Sequence, residues 1–543
     1  MPVAKQKPIA MESSGKPNAL YYGDNLQILR EHIPTSTVDL VYLDPPFNSQ
    51  ASYNVLFKAP TGEQSQAQIE AFEDTWHWNN NAEVAFDEVM RSGNTDVAEL
   101  LRAMRSFLKE NDMMAYLTMM AVRLLELHRV LKPTGSLYLH CDPTASHYLK
   151  ILLDAIFRAD NFRNEIVWKR TRAHNDTKLT RFGAVHDVIL FYSKSKERRF
   201  NRIFTERDAD APNTHDLYTH SDGKLYRKGD CRAPGGRGPR YEWNGHVQNW
   251  RFTEDERRKL EVEGRIVYSK TGMPRVLRPV DLAKGSPLQD VWVDIDAPNS
   301  GSAETLGYPT QKPLMLLSRI IESSTNETDT VLDPFCGCGT AVHAAQKLKR
   351  NWVGIDITHL AISLVERRLK DAFPGIAFEV HGTPKDLEGA RALAAADKYQ
   401  FQWWAVSLVN AVPFGGKKKG ADTGIDGLIY FKPEGKTTEK AVVSVKGGEN
   451  VSVSMIRDFA HVVDREKARI GVFITLEEPT GPMQKEAVKT GFYETPYGKY
   501  PKLQILTIAE LFEGKQPNIP LVDPTFFKKA AKELQESQDA LPF

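Results

Sequence analysis

An acidic residue followed by two prolines and an aromatic residue, Asp44-Pro45-Pro46-Phe47, directly follows the apolar segment 38–43. The Asp44 carboxylate and the Pro45 carbonyl are both hydrogen-bond acceptors, and a proline adds no N–H donor of its own. Two such acceptors could hold the two N–H bonds of an exocyclic amine on a base and favour the pyramidal amine that can attack a methyl group. Phe47 could stack on a base taken out of the duplex. The four residues alone also fit a strand that ends in an ordinary proline turn.

A glycine-rich run, Asp333-Pro334-Phe335-Cys336-Gly337-Cys338-Gly339-Thr340, lies between an apolar segment and a helical pattern. Gly337 and Gly339 would let the backbone approach a ligand closely, and Thr340 could cap the helix. Asp356 comes seventeen positions after Gly339, at the end of an apolar strand, where an acid can hold the ribose hydroxyls of a nucleoside. A tight strand-to-helix turn is the alternative. The third glycine of a dinucleotide fingerprint is absent, which argues against a nicotinamide site.

Alternating strands and helices would position both motifs. Strand patterns around Leu20 and 38–43, a long helical pattern over 112–131 and further alternation up to about residue 375 predict an α/β fold. In such a fold, helices cover both faces of a parallel sheet. Ligands gather outside the carboxyl ends of its strands, which is where both motifs lie.

The composition sets the class of protein. The 543 residues are 41% hydrophobic and 26% charged, as in globular proteins, and the net charge of +1 means that any nucleic-acid surface must be local. No apolar run reaches membrane length and no apolar signal region follows Met1, so we expect a cytoplasmic protein. Four cysteines argue against a disulfide framework. Cys336 and Cys338 lack a second Cys or His pair nearby, so we expect no metal site there.

These motifs together resemble the amino-methyltransferases of bacterial restriction–modification systems, in the permuted (beta) class in which the acceptor motif precedes the cofactor motif. The resemblance covers about residues 19–375 and is carried by GDNLQIL (23–29), DPPF (44–47), VLKPTGSLYLHCD (130–142), HDVILFY (186–192), QKP (311–313), DPFCGCGT (333–340) and GIDI (354–357). It implies a Rossmann-like doubly wound methyltransferase sheet, S-adenosyl-L-methionine as the cofactor and double-stranded DNA as the substrate.

The resemblance also implies residue roles. Asp44, Pro45, Pro46 and Phe47 would be catalytic. An aspartate at the first position is usual in adenine-modifying members and a serine in cytosine-modifying ones, so adenine N6 methylation is favoured, with cytosine N4 methylation as the alternative. The implied cofactor-binding residues are Asp24, Gln311, Lys312, Asp333, Phe335, Gly337, Gly339, Thr340 and Asp356.

Clustered cations with interleaved aromatic residues occur between the two motifs, which is the texture of a nucleic-acid surface. A charged solvent-exposed face is the alternative interpretation. By resemblance this stretch includes the target-recognition domain, a loop-rich insertion. The candidate DNA-binding residues are Lys169, Arg170, Arg172, Arg232, Arg237 and Arg240.

The segment from about residue 395 to 515 resembles the catalytic core of Mrr-like restriction endonucleases. Active members hold a divalent metal with an Asp and with a Glu or Gln two positions before a Lys. Asp426 and Lys446 fit this pattern, but Ser444 occupies the Glu/Gln position, and a serine hydroxyl is a weaker metal ligand than a carboxylate. An active nuclease, which would make the chain a bifunctional restriction–modification protein, stays the alternative to an inactive domain.

The predicted organisation combines these parts. The expected domains are a disordered tail (1–18), a catalytic half (19–200), a target-recognition insertion (201–305), a cofactor-binding half (306–385), a small α/β endonuclease-like domain (395–515) and a C-terminal tail (516–543). We expect a bacterial, nucleoid-associated protein that binds no membrane, with a homodimer and a separate restriction subunit left open. The alternative from a different functional class is a catalytically inactive DNA-binding protein, and the intact Asp44 argues against it.

Overall fold

The computed structural model describes residues 18–45, 52–58, 64–73, 77–171, 180, 182–205, 217–219, 223, 225–279, 286–298, 304, 311–414, 424–434 and 437–520. The chain divides into one compact unit formed by Met1–Asn201 with Asp290–Phe543 and a second formed by Arg202–Gln289. Of the predicted tails, residues 1–17 and 521–543 lie outside the described residues. No helix in the described ranges is long and apolar enough to span a membrane.

The chain up to Asn201 contains both strands and helices, with three strands in succession (β2 to β4) before three helices in succession (α2 to α4). The strands are β1 Asn18–Tyr22, β2 Val38–Leu43, β3 Ser52–Lys58, β4 Gln64–Glu73, β5 Leu131–Cys141, β6 Phe162–Lys169 and β7 His186–Ser193. The helices are α1 Asn25–His32, α2 Asn80–Arg91, α3 Thr95–Leu108, α4 Asp112–Val130 and α5 Ser146–Phe157. The long helix predicted over 112–131 is confirmed to within one residue. It ends where the chain turns directly into β5.

The unit Arg202–Gln289 is built from short strands and one helix in its described part. The elements are β8 Phe204–Thr205, β9 Leu217–Thr219, β10 Leu225–Asp230, β11 Arg240–Trp243, β12 His246–Asn249, α6 Glu254–Val262, β13 Ile266–Tyr268, β14 Pro274–Pro279 and β15 Ser286–Pro287. Strands β13, β14, β10 and β9 form an antiparallel sheet. Trp243 and Trp250 anchor a small core with Cys231 and Val276. This segment therefore has more regular structure than the predicted loop-rich insertion. Its strands are short and only partly buried, so the sequence shows no clear alternation of apolar and polar residues.

The second half of the large sheet follows this unit. Its elements are β16 Val291–Trp292, α7 Leu314–Ser324, β17 Thr330–Asp333, α8 Thr340–Lys347, β18 Asn351–Asp356, α9 His359–Ala372 and β19 Phe378–His381. The sheet has the order β16-β6-β7-β5-β2-β17-β18-β1-β19. Neighbouring strands are parallel except at β7, which is antiparallel to both β5 and β6.

Helices cover both faces of this sheet. Val353 and Ile355 of β18 share a buried cluster with Ile28 of α1, whereas Gly354 between them faces Val342 of α8. Because successive residues of a strand point to opposite faces, α1 and α8 lie on opposite sides. The α/β, doubly wound fold is confirmed. Strand β2 is buried along its whole length, as expected for a strand covered on both faces.

The C-terminal part forms a separate small sheet. Its elements are α10 Leu387–Ala396, α11 Lys398–Leu408, β20 Val412–Pro413, β21 Gly427–Phe431, β22 Glu439–Lys446, α12 Val453–Arg465, β23 Ile470–Thr475, α13 Gly481–Lys489, β24 Phe492–Thr495, β25 Gly498–Pro501, β26 Leu503–Thr507 and α14 Ile508–Phe512. The sheet order is β20-β21-β22-β23-β26, and β22, β23 and β26 are parallel. Its two faces carry separate cores, with Val443 in one and Val442 in the other.

Candidate active site

The two motifs meet at the edge of the large sheet. Strands β2 and β17 are parallel neighbours, with Val41 opposite Leu332, so their carboxyl ends emerge side by side. Asp44 and Pro45 continue β2, and Asp333 ends β17. Pro46 and Phe47 lie outside the described residues. The acceptor-type residues therefore stand next to the start of the glycine-rich loop, although nearly three hundred positions separate them in the sequence.

Lys312 contacts the acid of the acceptor motif. Its ammonium forms an ion pair with Asp44 Oδ2, and the two side chains are only 10% and 15% exposed. The resemblance assigned Lys312 to the cofactor pocket, whereas the structure places it on Asp44. Because burying a charge without a partner is strongly unfavourable, this ion pair stabilises both groups in the folded protein.

Asp333 is the most buried acid of the site. Its Oδ1 accepts the Phe335 N–H at 3.0 Å. Burial raises the pKa of Asp333 well above its usual range, the negative charges of Asp44 and Asp356 add to this, and Lys312 opposes it. The edge of the sheet thus brings Asp333 within electrostatic reach of two other carboxyl groups, Asp44 and Asp356, and of Lys312.

The glycine loop needs its glycines. Gly339 has φ +74°, and a Cβ atom on it would lie 2.7 Å from Val365 Cγ2 on α9. It is the N-cap of α8, so Thr340 does not cap the helix as predicted but is its first residue. The Thr340 hydroxyl instead accepts a hydrogen bond from Arg368 Nη1 at 3.1 Å, and the same nitrogen donates to the Cys338 carbonyl at 3.1 Å. The buried Arg368 therefore fixes the loop at Cys338 and Thr340 through these two hydrogen bonds.

Asp356 ties the loop to the end of β18. Its carboxylate accepts the Gly337 N–H at 2.9 Å and both the N–H and the hydroxyl of Thr358 at 2.9 Å. Burial raises the pKa of Asp356 to about 6, and the hydrogen bonds from Thr358 and Gly337 oppose that shift. Contact with a ribose stays a prediction for this residue.

The segment after β1 reaches the same loop. Asp24 caps α1 by accepting the Leu26 N–H at 2.9 Å, and its other oxygen pairs with Arg123 at 2.8 Å. Arg123 also donates to Asn25 Oδ1 at 2.7 Å, and the Asn25 amide donates to the Pro334 carbonyl at 2.8 Å. Arg123 is not part of any of the motifs. The available signal was an arginine in the middle of the apolar pattern of α4.

Two other residues that were predicted to bind the cofactor make contacts within the protein. The Gln311 amide donates to the Glu304 carbonyl. Phe335 packs against the core cluster of the large sheet. Their contact with a cofactor stays a prediction.

The candidate DNA-binding cations fall in both compact units. Lys169 and Arg170 are exposed at the end of β6, and Arg170 Nε lies 3.3 Å from Asp187 Oδ1. Arg232, in the other unit, pairs with Asp230 at 2.7 Å. Exposed Arg237 and Arg240 belong to that same unit, and Arg172 lies outside the described residues. DNA contact by these residues stays a prediction.

The endonuclease-like residues Asp426 and Ser444 lie together. Asp426 Oδ2 accepts the Val445 N–H at 2.6 Å and the Ser444 hydroxyl at 3.3 Å. Lys446 is the last residue of β22. No group of three His, Cys, Asp or Glu side chains that could hold a metal ion occurs in the described ranges. Two acids are near Ser444 or Asp426 in the sequence and could in principle supply a second metal ligand: Glu449 is exposed, and Asp422 lies outside the described residues.

Taken together, a doubly wound sheet with an Asp-Pro pair beside a glycine loop and a strand-end acid defines a nucleoside-dependent group-transfer enzyme. Comparison with known proteins specifies which one. The DNA methylase family (N6_N4_Mtase) matches residues 38–367, and a restriction endonuclease family (Mrr_cat) matches residues 393–494. The chain belongs to the DNA methylase family. It is an S-adenosylmethionine-dependent DNA methyltransferase of the restriction–modification type with a C-terminal Mrr-like domain.

The chain is also similar to individual proteins of restriction–modification systems. The type II methyltransferase M.EcaI of Enterobacter cloacae is 29% identical over 361 residues, which cover 65% of this chain and 69% of M.EcaI. The Mod subunit of the type III restriction-modification enzyme StyLTI of Salmonella typhimurium is 25% identical over 361 residues, covering 62% of this chain and 51% of the subunit. Among solved structures, the chain is similar to the cytosine-N4-specific PvuII DNA methyltransferase. The two sequences are 13% identical, the match covers 64% of this chain and 85% of the PvuII chain, and the TM-score is 0.31.

S-adenosylmethionine fits the chemistry of this site. After burial, the negative charges of Asp44 and Asp356 are further causes of the raised pKa of Asp333, and Lys312 opposes them only in part. A cationic sulfonium ligand would relieve the repulsion between these acids. When bound, the cofactor supplies an electrophilic methyl group.

Proposed function

We propose that this methyltransferase modifies the exocyclic N6 amine of adenine in duplex DNA at a specific sequence. The observation that supports it is the position of Asp44 and Pro45 at the end of β2, beside the start of the glycine loop at the end of β17. An acceptor pair at that point can hold an amine next to a methyl donor, so positioning supplies most of the catalysis.

Each acceptor has a defined task. With Asp44 Oδ2 paired to Lys312, its other oxygen accepts one N–H of the target amine, and the Pro45 carbonyl accepts the second. These bonds would favour the pyramidal amine, whose lone pair would attack the methyl group as the bond from that methyl to the sulfonium sulfur breaks, and the amine would then lose a proton. Phe47 would stack on the extruded base.

The cofactor would be held on the neighbouring strand ends. Asp356 would accept hydrogen bonds from ribose hydroxyls, and the backbone at Gly337 and Gly339 would line the site. Asp333 would face the charged end of the cofactor. Asp24 would border the same pocket because Asn25 beside it contacts the Pro334 carbonyl.

The choice of adenine rests on Asp44. The aspartate that opens the motif is usual in adenine-modifying members of the family, but a carboxylate can also accept a hydrogen bond from the amine of cytosine. Digestion of DNA methylated by the full chain, followed by mass spectrometry of the nucleosides, tests the assignment. We expect N6-methyladenine, and N4-methylcytosine as the sole product would contradict the proposal.

A further inference from the structure

A chain of polar side chains crosses four neighbouring strands of the large sheet. The Tyr42 hydroxyl on β2 lies 3.0 Å from His140 Nδ1 on β5, and His140 Nε2 lies 3.1 Å from Asp187 Oδ2 on β7. The other oxygen of Asp187 lies 3.3 Å from Nε of Arg170, directly after β6. The His140 and Asp187 side chains are 0% and 3% exposed and that of Arg170 is 49% exposed. The chain therefore runs from the interior to the surface.

The groups of this chain are complementary. Burial, with the charges of Asp44 and Asp333 adding, raises the pKa of Tyr42 well above its usual range, so its hydroxyl keeps its proton and can donate. With a neutral imidazole, His140 accepts at Nδ1 and donates from Nε2 to the Asp187 carboxylate. Burial alone would raise the pKa of Asp187. The hydrogen bond from His140 and the positive charges of Lys312 and Arg170 outweigh this and lower the pKa of Asp187. Every member thus has a matching partner.

Such a chain is not what stability alone would select. A buried charged group costs desolvation energy, and well-packed apolar residues of similar volume are often as stable or more so. The surrounding positions on the same strands, Leu139 and Ile189 among them, are apolar. The polar residues also lie beside the active site, because Leu43 pairs with Leu139 and Asp44 follows Leu43 as His140 follows Leu139. A functional role is therefore the better explanation.

We propose that Tyr42, His140 and Asp187 are positioning residues that hold the Arg170 guanidinium for a phosphate of the DNA backbone at the acceptor end of the sheet. The contact with Asp187 uses Nε, and the terminal nitrogens of a guanidinium match two oxygens of one phosphate. The proposal rests on the predicted DNA contact of Arg170. It adds that buried side chains next to Asp44 fix the orientation of the Arg170 guanidinium. Arg170 is then not a freely moving surface cation.

Asp187→Asn separates positioning from simple electrostatics because the two predict opposite signs. Removing a negative charge near a polyanion should tighten DNA binding if charge alone matters. Loss of the ion pair that orients Arg170 should weaken DNA binding, by about tenfold. The measurement is fluorescence anisotropy of the full chain with duplex DNA of mixed sequence over a range of salt concentrations. The matched control is Asp160→Asn, which removes an exposed acid just before the other end of β6 and should bind DNA as the wild type does or slightly more tightly.

Two further variants cover the case in which Asp187→Asn fails to fold. Arg170→Lys keeps the charge but loses the planar fork, so its affinity should fall towards that of Arg170→Gln. Arg170→Gln itself should lower the slope of affinity against salt by about one phosphate contact. Wild-type affinity in Arg170→Lys, or an Asp187→Asn protein that binds DNA as tightly as Asp160→Asn does, would overturn the proposal. Methyl transfer by the wild type, measured in parallel, shows whether the DNA methyltransferase assignment holds independently.

Discussion

At the scale of single residues, the site is an electrostatic arrangement of side chains from distant parts of the chain. Asp44, Asp333 and Asp356 end or follow three strands, and Lys312 precedes α7. Their charges influence one another, as the pKa of Asp333 shows. Each substitution here therefore changes the balance of charges as well as a contact, and its variants must separate the two effects.

Asp44→Asn is the sharper test of the acceptor role than removal of the whole side chain. The amide keeps the size of the side chain but is a weaker acceptor, so methyl transfer should fall by about 10²–10³-fold, the usual scale for losing one positioned electrostatic contact. Cofactor affinity, measured by titration calorimetry, should change little. Full methyl transfer in this variant would remove Asp44 from the mechanism.

Asp44→Ala should fail for a second reason, since it removes both the carboxylate charge that pairs with the Lys312 ammonium and any oxygen at that position that could accept its hydrogen bond. Breaking a buried pair in this way costs about 3–5 kcal/mol of stability. The double variant Asp44→Ala, Lys312→Met removes both charges and should recover a large part of that loss in denaturant unfolding. If the double variant is no more stable than Asp44→Ala, the two side chains do not depend on each other.

The raised pKa of Asp356 predicts a pH dependence of stability. A folded-state pKa of about 6 exceeds the usual value of 3.8, so the stabilising contribution is complete below 3.8 and is lost as the pH rises through 6. Between pH 5 and 7.5 this is about 1 kcal/mol of unfolding free energy in the absence of cofactor. Asp356→Asn lacks the titrating group, so the wild type should lose that amount relative to the variant. A constant difference between the two proteins across this range would contradict the shift.

The sequence identified the motif residues but not their partners. Asp44, Asp333 and Asp356 stand at strand ends, and strand ends can be recognised locally from apolar patterns. The Lys312–Asp44 pair and the contacts of Arg123 and Arg368 depend on which strands and helices become neighbours, and no local pattern contains that information. The same limit explains why the contact of Lys312 with Asp44 was not predicted, while its role in cofactor binding stays a prediction.

At the scale of elements, the glycine loop depends on its fit against α9. Gly339→Ala meets two obstacles, the positive φ and the approach of Val365 at 2.7 Å. Strain of this kind costs about 1–3 kcal/mol, and relief by moving the loop would displace the Gly337 N–H from Asp356. We expect lower thermal stability and weaker cofactor binding in calorimetry.

Gly375→Ala is the matched control for this loop. Gly375 has φ +82° but nothing within 4 Å of an added Cβ, so it carries the backbone strain without the clash. It should be slightly less stable than the wild type and bind the cofactor normally. Equal effects of the two substitutions on cofactor binding would show that packing against Val365 does not shape the loop.

The sequence predicted long, regular elements better than short ones. Helix α4 and the buried strand β2 carry strong patterns and appear where expected. The hairpin of β3 and β4, which directly follows the acceptor motif, was not predicted. In the unit Arg202–Gln289, residues such as Trp243 and Trp250 make a core whose members are scattered over short strands and loops, so no periodicity reveals it.

At the scale of the whole molecule, the chain joins a methyltransferase to an endonuclease-like domain. Both halves of the large sheet are needed for one site, because Asp44 comes from the first and the glycine loop from the second. The Mrr-like domain has its own sheet and its own cores. Its contribution to the reaction is therefore a separate question, and a separate restriction subunit and a homodimer stay predictions.

We expect no metal-dependent cleavage of unmodified DNA by this chain alone. Hydrolysis of a phosphodiester in this way needs a metal held by at least two strong ligands at fixed positions. Asp426 offers one, but its Oδ2 already accepts the Val445 N–H, and the neighbouring position is the buried hydroxyl of Ser444. A hydroxyl holds a divalent cation less firmly than a carboxylate, so water at the metal would be poorly activated.

The test is incubation of the full chain with magnesium or manganese, with and without S-adenosylmethionine, on DNA that lacks the modification. Intact DNA is the expected result, while methyl transfer measured on the same sample shows that the protein is folded and active. Lys446→Ala is the control for any cutting that does occur, because a contaminating nuclease is indifferent to it. Defined cleavage by the wild type that disappears in Lys446→Ala would mean that Ser444 supports metal binding after all. The chain would then both methylate and cut DNA, and its methylation would have to protect the host from its own C-terminal domain.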